Sequence, residues 1–399
     1  MNPDGDRLRA NLTKVYLYKL LGDAWIIAPI LIPFYVANGL NSTQVFTVQA
    51  AYALSVLVFE VPSGYLADVV GRRRTLVLGA VLLPAGVAVY ACGERFGTFI
   101  LAEFLIAVGN SLRSGSDSAL IYDTLIRLGA EGRYKTFEGK ASFFSRLGSS
   151  LASVLGGALA AASLRLPFYV NIGTAALMLP LALSLVEPAR STIESPHPVR
   201  DIVGAGRLML SDPRLRPLVL LAALIMSTGI IGLWSYFLYY RELGVGVEWF
   251  GLLFALSQLA SAAGSKLAGR IEAGLGPRRG LLVLLAIGPG FLILGLVRSV
   301  ATYPVILLNL FVWGYSFPVL LDLMNRRIES RIRATALSVA AMAGSLAFTI
   351  LSPVFGRIVD IAGLRAAYFA LAMLFLIGAG LLLAVLLKPG PAGLHDKME

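Results

Sequence analysis

One cysteine, Cys92, and two histidines, His197 and His395, are all the thiol and imidazole in 399 residues. A lone cysteine excludes an intramolecular disulfide and makes a cysteine metal cluster untenable. Both histidines lie in polar stretches, so none sits where a membrane segment could use it for acid–base work. Charge is scarce as well, at 14% of residues, where soluble domains carry about a quarter. A phosphate-cradling glycine loop is missing, which removes ATP as the obvious energy source. Residues 1–14 are polar and lack the apolar run and cleavage site of a signal peptide. No cofactor, no metal and no enzymatic chemistry is expected.

What the chain has in abundance is apolar surface: 57% hydrophobic residues and a mean hydropathy of +0.78. Lipid is the solvent that covers so much of it. Windows of about 20 mainly apolar residues, the length that crosses a bilayer, fall near 14–38, 43–67, 75–92, 97–126, 138–162, 166–186, 214–240, 247–269, 280–297, 301–325, 335–358 and 364–387. Backbone groups in lipid must satisfy one another, so the fold class is all-α: twelve transmembrane helices. Pro29, Pro33, Pro62, Pro84, Pro318 and Pro353 mark bends that membrane helices tolerate.

The net charge of +11 would suggest nucleic acid in a soluble protein. Its placement says otherwise. The amino terminus and the even connections carry the arginines, among them Arg72–Arg74, Arg127, Arg133, Arg200, Arg207, Arg278, Arg279, Arg326 and Arg327. Five of the six opposite connections carry one arginine each (Arg95, Arg165, Arg241, Arg298, Arg365) and the first carries none. This bias places both termini in the cytoplasm, with no nucleic acid as partner. Residues 187–213, with Pro196, Pro198 and Pro213, read as a cytoplasmic linker, and 200–212 as a short surface helix. The domain plan is therefore an amino-terminal six-helix bundle (1–186), the linker (187–213), a carboxy-terminal six-helix bundle (214–388) and a tail (389–399). The halves echo each other: Gly64…Gly71-Arg72-Arg73 recurs as Gly269…Gly276-Pro277-Arg278-Arg279, and Leu164-Arg165…Phe168-Tyr169 as Leu364-Arg365…Tyr368-Phe369.

Residues 59–79 hold the densest signal. An apolar segment drops a carboxylate at Asp68, turns at Gly71 and shows three arginines before the next segment begins. The run Gly64-Tyr-Leu-Ala-Asp68-Val-Val-Gly71-Arg72-Arg73-Arg74, after the second of twelve segments, resembles the loop signature of the major facilitator superfamily of secondary transporters. Gly115-Ser-Asp-Ser-Ala-Leu-Ile-Tyr122-Asp123 at the inner end of the fourth segment is a second match. Gly148-Ser-Ser-Leu-Ala152-Ser153-Val-Leu-Gly156-Gly157 has the spacing of the motif of proton-coupled drug exporters, with Ala-Ser where Gly-Pro is usual. Where the fourth segment of that family usually carries an arginine, this chain aligns Glu103. The resemblance implies two pseudo-symmetric bundles that rock about a central site, and an inner gate made of Gly64, Asp68, Gly71, Arg72, Arg73 and Asp123. In that gate Asp68 would face the amino terminus of the eleventh helix near Arg333–Thr335, and Arg72 would reach Asp123.

Charges inside the segments are expensive in lipid, so each is a functional candidate. Lys19 and Asp23 are spaced i, i+4, as are Arg113 and Asp117, and each couple could pair on one helix face. Glu60 precedes Pro62, Glu103 lies in the outer half of the fourth segment, Arg146 is in the fifth and Asp322 in the tenth. In the first half Lys19, Arg113 and Arg146 face Asp23, Glu60, Glu103 and Asp117, which leaves one carboxylate without a partner. Such a group takes up a proton near neutral pH; Asp23 and Glu103 are the leading proton-coupling candidates. Trp25, Trp234, Tyr236 and Trp313 are candidate cavity aromatics for an apolar or cationic substrate.

The expected activity is proton-coupled export, an antiport across a bacterial or archaeal cytoplasmic membrane, of a small amphipathic or cationic compound by a monomer in contact with lipids. Proton-coupled uptake of a nutrient or organic anion, lipid transport, and a non-transporting receptor or scaffold remain as alternatives.

Overall fold

A computed structural model describes residues 3–188, 198–328 and 333–388. Residues 189–197 of the predicted linker and the tail 389–399 lie outside the described residues. Among the described residues every regular element is helical. In order they are α1 (Pro3–Gly22), α2 (Leu31–Ala37), α3 (Ser42–Val70), α4 (Arg72–Cys92), α5 (Phe96–Arg113), α6 (Ser116–Arg127), α7 (Tyr134–Ala162), α8 (Leu166–Ala176), α9 (Met178–Ser184), α10 (Pro198–Ser211), α11 (Arg216–Glu242), α12 (Phe250–Leu275), α13 (Pro277–Val283), α14 (Ile287–Leu296), α15 (Tyr303–Arg327) and α16 (Arg333–Leu386).

Nine stretches among the described residues are long and apolar enough to cross a membrane. The last of them, Ala336–Leu386, runs through Gly363, whose φ of +83° breaks the helix and divides it into two spans. The α1–α2 segment and α7 correspond to the remaining two predicted spans: α1 and α7 carry polar and charged residues, and the apolar stretch Ala28–Ala37 is too short to cross by itself. Pro62, Pro84, Pro318 and Pro353 sit inside continuous helices, and α10 occupies the stretch predicted as a surface helix.

Two of the predicted segments are interrupted where the chemistry lies. The first is helical to Gly22, passes through turns at 23–27, and resumes as a short 3-10 turn at Ala28–Ile30 and then α2. Pro29 in that turn has no N–H to offer a continuous helix, and the side-chain carbonyl of Asn171 accepts from the freed Ile27 N–H at 3.4 Å. The fourth breaks between α5 and α6 at Gly115, whose φ of +76° only glycine adopts at no cost.

The chain divides into two compact units, residues 1–40, 48–196 and 246–255 forming one and 41–47, 197–245 and 256–399 the other. In the first, small residues bring backbones into contact, as membrane helices need in the absence of a hydrophobic drive. A Cβ on Gly148 or Gly156 of α7 would lie 2.2 Å from the Leu20 carbonyl oxygen or 1.9 Å from that of Ile26. Phe34, Tyr35, Tyr90, Phe99 and Phe168 form a fully buried aromatic core. In the second unit the same device recurs between α12 and α15, at Gly264 against Phe311 and Gly314 against Ser261. There Asp360 also accepts from the backbone N–H groups of Ser42 and Thr43 at 2.8 Å each and from the Thr43 hydroxyl at 2.6 Å.

Candidate functional site

A cavity of ≈ 350 Å³ opens in the first unit where α1, α3 and α5 meet, lined by Asp23, Trp25, Tyr52, Val56, Glu60, Asn110, Ser111, Arg113 and Ser114. The α3 contribution follows from helical spacing: Tyr52, Val56 and Glu60 recur every four residues and share one face. The break after Gly22 turns Asp23 and Trp25 into the same space. Gly22 itself has no side chain because the Arg113 guanidinium occupies that volume; a Cβ there would lie 2.6 Å from Nη1.

Arg113 is held from two sides. Its Nη2 reaches Asp23 Oδ1 at 2.5 Å and Asn110 Oδ1 at 3.5 Å. The other Asp23 oxygen accepts from the Ser145 hydroxyl on α7, and Asn110 donates to the Tyr52 hydroxyl at 3.1 Å. The Asp23–Arg113 charges cancel. Glu60 is exposed to the cavity and, among the described residues, forms no ion pair. The lining therefore carries one uncompensated negative charge beside two aromatic rings.

A second charged cluster lies on α1, α6 and α7. Lys19 Nζ contacts Glu138 Oε1 at 2.7 Å, Ser118 Oγ at 2.9 Å and Asp117 Oδ1 at 3.6 Å. Lys19 and Asp117 are buried. The predicted i, i+4 pairs thus do not form: Lys19 pairs with α6 and α7 instead of Asp23, and Arg113 with α1 instead of Asp117. The reason is local. Each predicted pair straddles a helix break, at Gly22–Asp23 and at Ser114–Gly115, so its members no longer share a face. Two further corrections follow. Arg146 is exposed, and α7 instead gives Asp23 the Ser145 hydroxyl as a donor. Glu138, at the first position of the predicted fifth segment, supplies the partner that span counting passed over.

Glu103 stands apart from both clusters. It is 4% exposed, accepting from the Tyr35 hydroxyl at 3.1 Å and from the Gln49 side-chain amide at 3.3 Å. Tyr90 also bonds to it, and the Tyr35 and Tyr90 hydroxyls bond to each other.

At the loop first singled out in the sequence, Arg72 Nη1 lies 2.6 Å from Asp68, and its Nε lies 3.5 Å from Asp123 as an ion pair without hydrogen-bond geometry. Gly71 has φ +119°, and Gly64 faces open space. The sequence reading missed Glu187. Its carboxylate accepts from the backbone N–H groups of Arg72 at 2.9 Å and Arg73 at 2.7 Å, capping the start of α4 across a gap of 115 residues. Arg73 donates to the Leu183 carbonyl, and Asn11 pairs with both backbone groups of Val186. The Glu-Pro that opens the linker was the available signal. Losing that cap in Glu187→Ala is expected to cost about 1 kcal/mol, read as a lowered midpoint in thermal unfolding of detergent-solubilised protein. The side chains at 333–335, where Asp68 is expected to point, lie outside the described residues.

Of the remaining candidates, Asp322 is exposed and pairs with Arg326 at 2.8 Å. Trp25 lines the cavity. Trp234 packs near Phe237, Tyr236 is buried, and Trp313 lies against Gly229, all inside the second unit.

A family model described as Major Facilitator Superfamily matches residues 20–351. Quinolone resistance protein NorA of Staphylococcus aureus (strain N315) is 26% identical over 169 residues, 42% of either chain. The uncharacterized MFS-type transporter EfpA of Mycobacterium tuberculosis (strain CDC 1551 / Oshkosh) is 27% identical over 158 residues, 39% of this chain and 28% of that one. The matches thus span less than half the length of these relatives. Among solved structures, a bacterial homolog of the human lysosomal transporter Spinster superposes with a TM-score of 0.75 at 19% identity, covering 98% of this chain and 100% of that one. The nucleoside transporter NupG gives 0.76 at 12% identity, covering 98% and 100%, and a peptide transporter POT gives 0.73 at 17%, covering 94% of each. At such identities the likeness is one of fold.

Proposed function

The chain belongs to the major facilitator superfamily; from that premise we propose that this integral membrane transporter exports small amphipathic cations in exchange for protons. The observation that carries this reading is the charge of the cavity: Asp23 and Arg113 neutralise each other, which leaves Glu60 beside Trp25 and Tyr52. A carboxylate with aromatic faces suits a delocalised cation, attracted by the charge and by the ring quadrupoles. The relative named for quinolone resistance supports export. Uptake of an organic anion needs a free cation in the cavity, and Arg113 is engaged by Asp23 and Asn110.

In this reading both termini are cytoplasmic, and Asp68, Arg72, Arg73 and Asp123 form the cytoplasmic gate that Glu187 steadies. Protons and substrate move by alternating access. Glu60→Gln is expected to weaken binding of N-methylphenylpyridinium roughly tenfold, about 1.4 kcal/mol, and to leave binding of neutral phenylpyridine unchanged. Calorimetry on the purified chain at a pH where phenylpyridine is uncharged measures both. Equal effects on the two compounds would remove the case for cation recognition.

A further inference from the structure

Resting on that reading, we infer that proton and substrate occupy different sites: Glu103 carries the proton, and the Asp23–Glu60 cavity carries the cation. The three carboxylates differ in their surroundings. Asp23 is saturated by Arg113 and Ser145. Glu60 faces open cavity. Glu103 alone is both buried and held only by neutral groups: Tyr35 from α2, Gln49 from α3 and Tyr90 from α4. Among the described residues no lysine, arginine or histidine forms an ion pair with it. A buried charge without a counter-charge is costly, and the carboxyl sheds that cost by taking up a proton. The two phenols and the amide can bond either form of the carboxyl, since a hydroxyl both donates and accepts.

Glu103 is also outside the cavity lining, so a cation held there does not displace its proton by contact. Polar side chains of α3 and α5 stand between the two. Gln49 and Tyr52 are one helical turn apart on α3. The Tyr52 hydroxyl accepts from Asn110, and Asn110 accepts from Arg113. The proton on Glu103 and the cation near Glu60 influence each other through this row of dipoles. Binding of one is then linked to release of the other without a shared carboxylate.

The test uses the full chain in detergent and the permanently charged probe N-methylphenylpyridinium, with affinity measured from acid to alkaline pH and released protons followed by an indicator dye in weak buffer. Wild-type affinity is expected to rise with pH by up to about tenfold per unit, the limit for one linked proton. Glu103→Gln is expected to bind the probe with no pH dependence and no proton release. Glu60→Gln is expected to bind more weakly at every pH while still releasing a proton per probe bound. Tyr35→Phe, which keeps the ring and the buried volume, shifts the midpoint of the pH profile and keeps its amplitude, so the inference stays testable if Glu103→Gln is unstable. A pH profile that survives in Glu103→Gln and vanishes in Glu60→Gln or Asp23→Asn would overturn separate sites in favour of one shared carboxylate. No pH dependence in the wild type, or no probe binding, would instead overturn the proton-coupled cation reading on which the inference rests.

Discussion

Arg113→Ala is expected to abolish transport and to destabilise the protein by about 2–3 kcal/mol, less than for a fully buried ion pair because both side chains keep some exposure to the cavity. Arg113 ties four elements together: Asp23 at the break after α1, Asn110 one turn back on α5, and through them Ser145 on α7 and Tyr52 on α3. Its loss leaves Asp23 charged in the cavity wall and empties the volume that Gly22 leaves for it. Arg113→Lys keeps the charge but reaches only one of the two acceptors, so it should fall between wild type and alanine. The double variant Asp23→Asn/Arg113→Ala removes both charges and is expected to unfold at a higher temperature than Arg113→Ala, with Asp23→Asn as the other single variant. Thermal unfolding in detergent, arranged as a double-mutant cycle, separates the pair's coupling from the cavity left by truncation.

Lys19→Met carries the second large effect. Lys19 is the cation between Glu138 on α7 and Asp117 on α6. Without it two carboxylates from different helices confront each other around Ser118, and, because Lys19 and Asp117 are buried, a loss of about 3–5 kcal/mol is expected. The arrangement distinguishes the partners. Glu138→Gln leaves Lys19 with Asp117 and should cost less than Lys19→Met. Adding Asp117→Asn to Lys19→Met removes one of the facing charges and should recover part of the loss. Unfolding midpoints of the four chains give the ordering. If Lys19→Met is no less stable than Glu138→Gln, the cluster is not organised around the lysine.

The helices were legible because lipid makes the signal strong: a run of apolar residues cannot be anything else when every backbone group must be satisfied within its own segment. The loop at Asp68–Arg74 was legible for a related reason, since a charge cluster between two apolar runs has only one place to be. Partnership was not legible. The i, i+4 rule assumes an unbroken helix, and the two couples to which it was applied, Lys19–Asp23 and Arg113–Asp117, both cross a break. The clues were Gly22 before Asp23, Pro29 beyond it, and Gly115 after Arg113, all of them visible in the sequence, though only Pro29 reads as a bend by itself. Glu187 and Glu138 escaped because they sit at segment ends, where a carboxylate looks solvated until the fold supplies two backbone N–H groups or a lysine. Glu103 is the instructive middle case. Its place as a carboxylate inside an apolar segment marked it as a candidate, but the tyrosines that enclose it come from α2 and α4, which only tertiary packing brings to it.

The central claim is that a proton gradient drives an organic cation through this chain in the opposite direction. The direct measurement is uptake of radiolabelled N-methylphenylpyridinium into proteoliposomes with the pH gradient imposed in either sense and the membrane potential clamped. Accumulation with an acid interior, absent from protein-free vesicles and from Arg113→Ala, is the expected result. Accumulation only with an acid exterior, or none above the protein-free vesicles in either sense, would contradict it.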